Sequence, residues 1–242
     1  MQSNNPILTR VETHADYSQP MTVQGAVQKS VLLTVIAAVL GVGVFVYSFM
    51  TLNIALAHTA AMVGAIGGFI LALITTFKPE TARTLAIPYA FFEGAFLGGI
   101  SVIFQLKYPG VPLQALLATF VTSLVMFALY RFKIIRATEK FKAIVMSATI
   151  AIALVFVVQF VMRLAFGSSI PYVFESNWLG LGFAAFVAVI ASLNLILDFD
   201  LIESAAAQRA PKAMEWLCGI ALLATLVWMY YSFLRLLSLS RD

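Results

Sequence analysis

The chain has 242 residues, of which 62% are hydrophobic and only 11% charged, and a net charge of +4. Its mean hydropathy is +0.96, whereas a soluble domain is about 45–50% apolar, so a water-soluble globular fold is excluded. The positive balance does not imply a nucleic-acid partner, because the basic residues flank apolar runs, which is the pattern of membrane topology. Those runs are continuous and lack period-2 alternation. Only helices or a closed barrel can satisfy their backbone in lipid, and this pattern excludes the barrel.

The predicted elements begin with a polar N-terminal tail over residues 1–29, read as cytoplasmic and flexible or interfacial. No cleaved signal peptide is expected, since the first apolar run begins near Val31, after a long polar segment. A crossing needs about 20 mainly apolar residues. Runs of that length occupy roughly 30–51, 54–77, 85–106, 112–132, 143–166, 179–202 and 214–237. The breaks carry turn chemistry: Lys78-Pro79-Glu80, Tyr108-Pro109-Gly110, Gly167-Ser168-Ser169 with Pro171, and Arg209-Ala210-Pro211. Between the first two runs only Thr51-Leu52-Asn53 intervenes, which predicts a tight hairpin. The expectation is therefore an all-α polytopic membrane protein, with residues 30–242 forming seven transmembrane helices.

Alternating crossings from a cytoplasmic N-terminus place eleven of the fifteen basic residues inside, many of them between Arg131 and Lys142. This positive-inside bias predicts a C-terminus outside. Tyr47, Tyr108, Tyr172, Trp178, Tyr230 and Tyr231 then fall near the outer interface, and Tyr89, Tyr130 and Trp216 near the inner one. Gly64 with Gly68, and Gly94 with Gly98, have the spacing of close helix contacts and read as packing within the bundle.

Carboxylates at membrane depth cost several kcal/mol, roughly 2.5–3.5 on insertion scales, and a chain that keeps them there uses them for ions, protons or a fixed partner. The sixth run ends in Asn194-Leu-Ile-Leu-Asp198-Phe-Asp200-Leu-Ile-Glu203. At about 100° per residue, Asp198 and Asp200 point some 200° apart. Asn194 shares a face with Asp198, and Asp200 shares another with Glu203; the deeper Asn194–Asp198 stripe is the better candidate for the interior. Glu93 lies about two turns into the third run, five residues after Pro88, and Glu215 opens the seventh. Acids from three helices on the cytoplasmic side could bind a hard cation through oxygen ligands or share protons. For Glu215 the alternative is a favourable charge in a first helical turn, and for Glu93 a structural hydrogen bond to a neighbouring helix. His14 and His58 have no second ligand at zinc spacing. Cys218 stands alone, which excludes an internal disulfide or multi-cysteine site. No phosphate loop or nucleophile–base motif is visible, so the chain reads as no enzyme, without a cofactor.

The order of the seven runs, the motif Leu195-Ile-Leu-Asp198-Phe-Asp200-Leu-Ile202 and the closing Phe233-Leu-Arg235-Leu-Leu237 resemble the Bax inhibitor-1 family, in particular its bacterial YccA-like members. The resemblance covers roughly residues 25–240. It implies a seven-helix bundle with the last helix central, in a bacterial inner membrane, and a pH-sensitive Ca²⁺ leak in which an acid on the sixth helix pairs with one on the seventh. Asp198 matches the first of these acids. At the second position this chain has Thr225, so either Glu215 replaces the missing partner or Asp198 pairs elsewhere, as with Glu93. The candidates for an ion or proton gate are Asp198, Glu215, Glu93 and Asp200, with Asn194, Glu203 and Thr225 as supporting polar groups; the resemblance implies Ca²⁺ as the permeating ion, no metal site is assigned, and Asp198 and Glu215 are the candidates to meet it. The rival reading is an interaction protein that modulates a membrane-bound protease or a stress response. A proton-coupled transporter is a third reading, weakened by the lack of internal repeats.

Overall fold

The computed structural model describes residues 20–167, 170 and 173–241. The expectations for His14, Ser168, Ser169, Pro171, Tyr172 and most of the polar tail lie outside those residues. The protein is all-α, with no named strand among the described residues. Seven helices are long and apolar enough to cross a membrane: α1 (Val23–Met50), α2 (Ile54–Phe77), α3 (Ala82–Lys107), α4 (Val111–Arg131), α5 (Glu139–Phe166), α6 (Trp178–Ala207) and α7 (Met214–Leu239). A 3-10 turn, Pro79–Thr81, leads into α3. This is an integral membrane protein.

The helices outrun the apolar stretches where a cap allows it. Thr22 accepts the Gly25 N–H at 2.9 Å, so α1 starts at Val23 and takes in residues assigned to the tail from sequence. Thr138 caps α5 in the same way through Phe141. Such side-chain oxygens satisfy backbone donors that a helix start leaves open. The predicted hairpin after α1 is present. Leu52 adopts a left-handed φ of 52°, and Asn53 caps α2 by accepting the Leu56 N–H at 2.9 Å. Helix α3 continues through Pro88, which leaves the Thr84 carbonyl without its usual helical donor.

Much of the surface is apolar in the manner of a lipid-facing protein. Val39, Phe160 and Leu164 are 69%, 68% and 78% exposed, and only 11% of the apolar window of α5 is buried. The last two spans are the most enclosed, with 50% and 56% of their windows buried.

The chain divides into two compact units, Met1–Ile103 with Asp200–Ala224, and Phe104–Phe199 with Thr225–Asp242. In the first, small residues let backbones approach. A side chain at Gly64 would run into the α3 backbone at Phe92 and Phe96, and one at Gly94 into Ala37 and Leu40 of α1. Both glycine pairs therefore serve contacts inside the chain, as the spacing suggested. Cys218 is buried with Met21, Ala26, Ile202 and Met214.

In the second unit, Arg235 of α7 holds the α5–α6 connection. Its guanidinium donates to the Val173 carbonyl at 3.0 Å and stacks over Phe174 at 4.3 Å, with Phe183 at 5.9 Å. A planar, fork-shaped donor on aromatic faces is a role that lysine fills poorly. Arg235→Lys should cost about 1–2 kcal/mol and speed protease cleavage of the α5–α6 connection. An unchanged cleavage rate would count against the clamp.

Candidate functional site

Among the described residues no group of three His, Cys, Asp or Glu side chains is placed to hold a metal ion. Asp198 belongs to the second unit, whereas Glu93, Glu215, Asp200 and Glu203 belong to the first. Each of the three deeper acids has its own partners.

Asp198 stands two residues before the unit boundary on α6, and Thr225 at the start of the stretch of α7 assigned to the same unit. Their side chains hydrogen-bond, and the influences on the Asp198 carboxyl are burial and this hydroxyl. Its Oδ2 is buried without a hydrogen-bond partner. An unsatisfied buried oxygen of this kind is uncommon in a native interior, where most polar atoms are paired. The partner of Asp198 is thus Thr225 itself, the residue at the position where the resemblance led us to expect an acid.

Asn194 does not extend the Asp198 face as a free polar stripe. Its amide nitrogen donates to the Thr149 hydroxyl of α5 at 2.9 Å and to the Ile190 carbonyl at 2.8 Å. It ties α6 to α5 and leaves Asp198 as the under-satisfied group on that face. Asp200 is half-buried and Glu203 exposed, and both carry interactions of their own.

Glu215 is 2% exposed and acts as a junction between helix ends. Its Oε1 accepts the Thr22 N–H at 3.1 Å and the Thr22 hydroxyl at 3.4 Å. Lys29 Nζ lies 3.3 Å from Oε2 and 5.5 Å from the centre of the Trp216 ring. Oε2 receives no hydrogen bond of good geometry, so the Lys29 ammonium is its partner by charge. Nearby, Met21 N–H donates to the Ala210 carbonyl at 2.8 Å. The carboxylate thus serves two helix starts, the first turn of α7 and the open donors of α1, where a negative charge is favourable. Gly25 is small because this carboxylate occupies the space a side chain would take. The Lys29 ammonium stands beside Oε2, where a cation would approach this carboxylate.

Glu93 is half-buried on α3 and hydrogen-bonds Tyr89 one turn earlier. Tyr89 is 2% exposed, so it is no interfacial belt residue, as its position near the end of the run had suggested. Its hydroxyl is satisfied inside the protein instead. Tyr230 is likewise buried rather than at an interface. Across from Glu93, a Cβ on Gly68 of α2 would stand 2.7 Å from Oε1.

Sequence reasoning missed Thr22, Lys29, Thr149 and Tyr89 as partners. Only Tyr89 left a readable signal, being four residues before Glu93 and so on the same helical face. The others come from helices distant in sequence.

Seven membrane-length helices carrying separately partnered carboxyls define a polytopic membrane protein with an under-satisfied acid in its sixth span. The chain belongs to the Bax inhibitor 1 like family, whose model matches residues 5–242. No curated protein and no solved structure matches it.

Proposed function

We propose that the protein is a pH-sensitive Ca²⁺ leak channel in which Asp198 is the group that senses protons and meets the ion. The observation that carries this reading is the buried Asp198 Oδ2 without a partner, in a chain of the Bax inhibitor 1 like family. An ionised carboxylate offers hard oxygen ligands to Ca²⁺, and the protonated acid does not. Thr225 suits a switch of this kind. Its hydroxyl donates to the ionised carboxylate and can accept from the neutral acid, so it remains a partner in both states. A second acid would instead share a proton with Asp198 and split the titration in two. Here the gate uses one titrating group. Asp200 and Glu203 near the end of α6 serve as approach charges, and Glu215 and Glu93 stay outside the gate.

The setting is a bacterial inner membrane with the N-terminus in the cytoplasm, a placement supported by the charge bias of the loops. No catalytic step is assigned. Ca²⁺ is the cargo, and the bilayer is the partner of the apolar faces.

The test is Ca²⁺ flux into liposomes holding the purified protein, from roughly pH 5 to 8, for wild type and Asp198→Asn. The amide keeps size and hydrogen bonding but cannot titrate. The expected result is a pH-dependent leak in wild type and a flat profile in the variant. No flux above empty liposomes at any pH would end the channel reading and favour an interaction protein acting on a membrane-bound protease.

A further inference from the structure

The first unit contains a carboxyl that the gate does not use. Glu93 sits inside a membrane-length helix, half-buried, where a charged group without a cation beside it is costly. Burial and the Tyr89 hydroxyl are the influences on it. We propose that Glu93, with Tyr89 as its hydrogen-bond partner and Gly68 as its cradle, is a proton-binding site of the first unit that titrates independently of Asp198.

Two observations besides the acid itself support a built site. Tyr89 is almost wholly enclosed, so its hydroxyl has a fixed place, and a phenol can donate to a carboxylate or accept from a carboxylic acid. The pair therefore keeps its hydrogen bond whether or not Glu93 holds a proton. On α2, the space over Gly68 is taken by the Glu93 carboxyl. A Cβ there would meet Oε1 at 2.7 Å and Cδ at 3.3 Å, while the next atom, Phe92 Cβ, is 3.9 Å away. The glycine thus clears room for this carboxyl and for nothing else close by. Gly64, one turn earlier, serves helix contact instead, since its obstacles are backbone atoms.

Among the described residues no cation is an influence on Glu93; Lys78, after α2, and Arg83, ten residues earlier on α3, are exposed. Helix α2 contributes His58, ten residues before Gly68 and exposed. Helix α1 contributes Lys29, which is paired with Glu215, and Tyr47, which is exposed. Of the segments of α6 and α7 in this unit, Asp200 and Glu203 have interactions of their own, and Glu215 is bound to Thr22 and Lys29.

The experiment is infrared difference spectroscopy of the full-length protein in liposomes on a pH jump, reading the carbonyl band of protonated carboxyl groups. It needs no ion flux, so it stands or falls apart from the channel reading. One band should be lost in Glu93→Gln and retained in Asp198→Asn. Gly68→Ala should shift the same band and its titration midpoint, because the added methyl displaces the carboxyl. That variant meets only the mobile end of a side chain and should fold even where Glu93→Gln does not. Spectra of Glu93→Gln or Gly68→Ala that superimpose on wild type would overturn the site. Loss of the Glu93 band in Asp198→Asn would overturn its independence.

Discussion

Glu215→Ala is expected to lower stability by roughly 3–5 kcal/mol, the range for breaking a buried ion pair by removing one partner. The carboxylate is 2% exposed and joins the Thr22 backbone, the Thr22 hydroxyl and Lys29. Alanine would strand the Thr22 N–H and leave the Lys29 ammonium facing an apolar gap. Glu215→Gln keeps an acceptor for Thr22 but loses the charge, so it should fall between wild type and alanine. Lys29→Gln should also be destabilising, because it leaves the buried Glu215 carboxylate without its counter-charge, although the Thr22 N–H still donates to it. Thermal unfolding of the detergent-solubilised protein gives the ranking. A Glu215→Ala protein as stable as wild type would remove the junction from the list of what holds the fold.

The second large effect is expected at Gly64. A methyl group there would stand 2.6 Å from the Phe92 carbonyl oxygen and 2.8 Å from the Phe96 Cα. These are backbone atoms, so α2 must move away from α3 along its length. Overpacking costs typically about 1–3 kcal/mol, and the upper end applies where the obstacle cannot rotate aside. Gly68→Ala meets only a side chain and should cost far less. The contrast separates two glycines that the sequence presents as equivalent members of one spacing motif. Equal losses of thermal stability in the two variants would contradict it.

The seven spans were legible because lipid imposes one demand, a long apolar run with every backbone group paired inside it, and that demand is written residue by residue. The hairpin at Thr51–Asn53 was legible for the same reason: two full-length runs cannot form one helix. Helix ends were less so, since caps such as Thr22 and Thr138 carry the helix past its apolar stretch. Among the acids, the sequence marked Asp198 by its place in an apolar run and marked Thr225 as the departure from the family pattern. It could not show that the two meet. Helical spacing orders residues on one helix, whereas Glu215 finds Thr22 and Lys29 across nearly two hundred positions. Similar depth in three helices orders Glu93, Asp198 and Glu215 along the membrane normal and does not by itself make a common site.

In the proposed Ca²⁺ leak one carboxyl, Asp198 beside Thr225, sets the pH dependence. The most direct test is the steepness of wild-type Ca²⁺ flux against pH in liposomes, measured alongside Asp198→Asn. A single titrating group gives a profile spanning one proton, and coupled carboxyls give two steps. The expected result is a one-proton profile that becomes flat in Asp198→Asn. A two-step profile, or a pH dependence that survives the substitution, would contradict it.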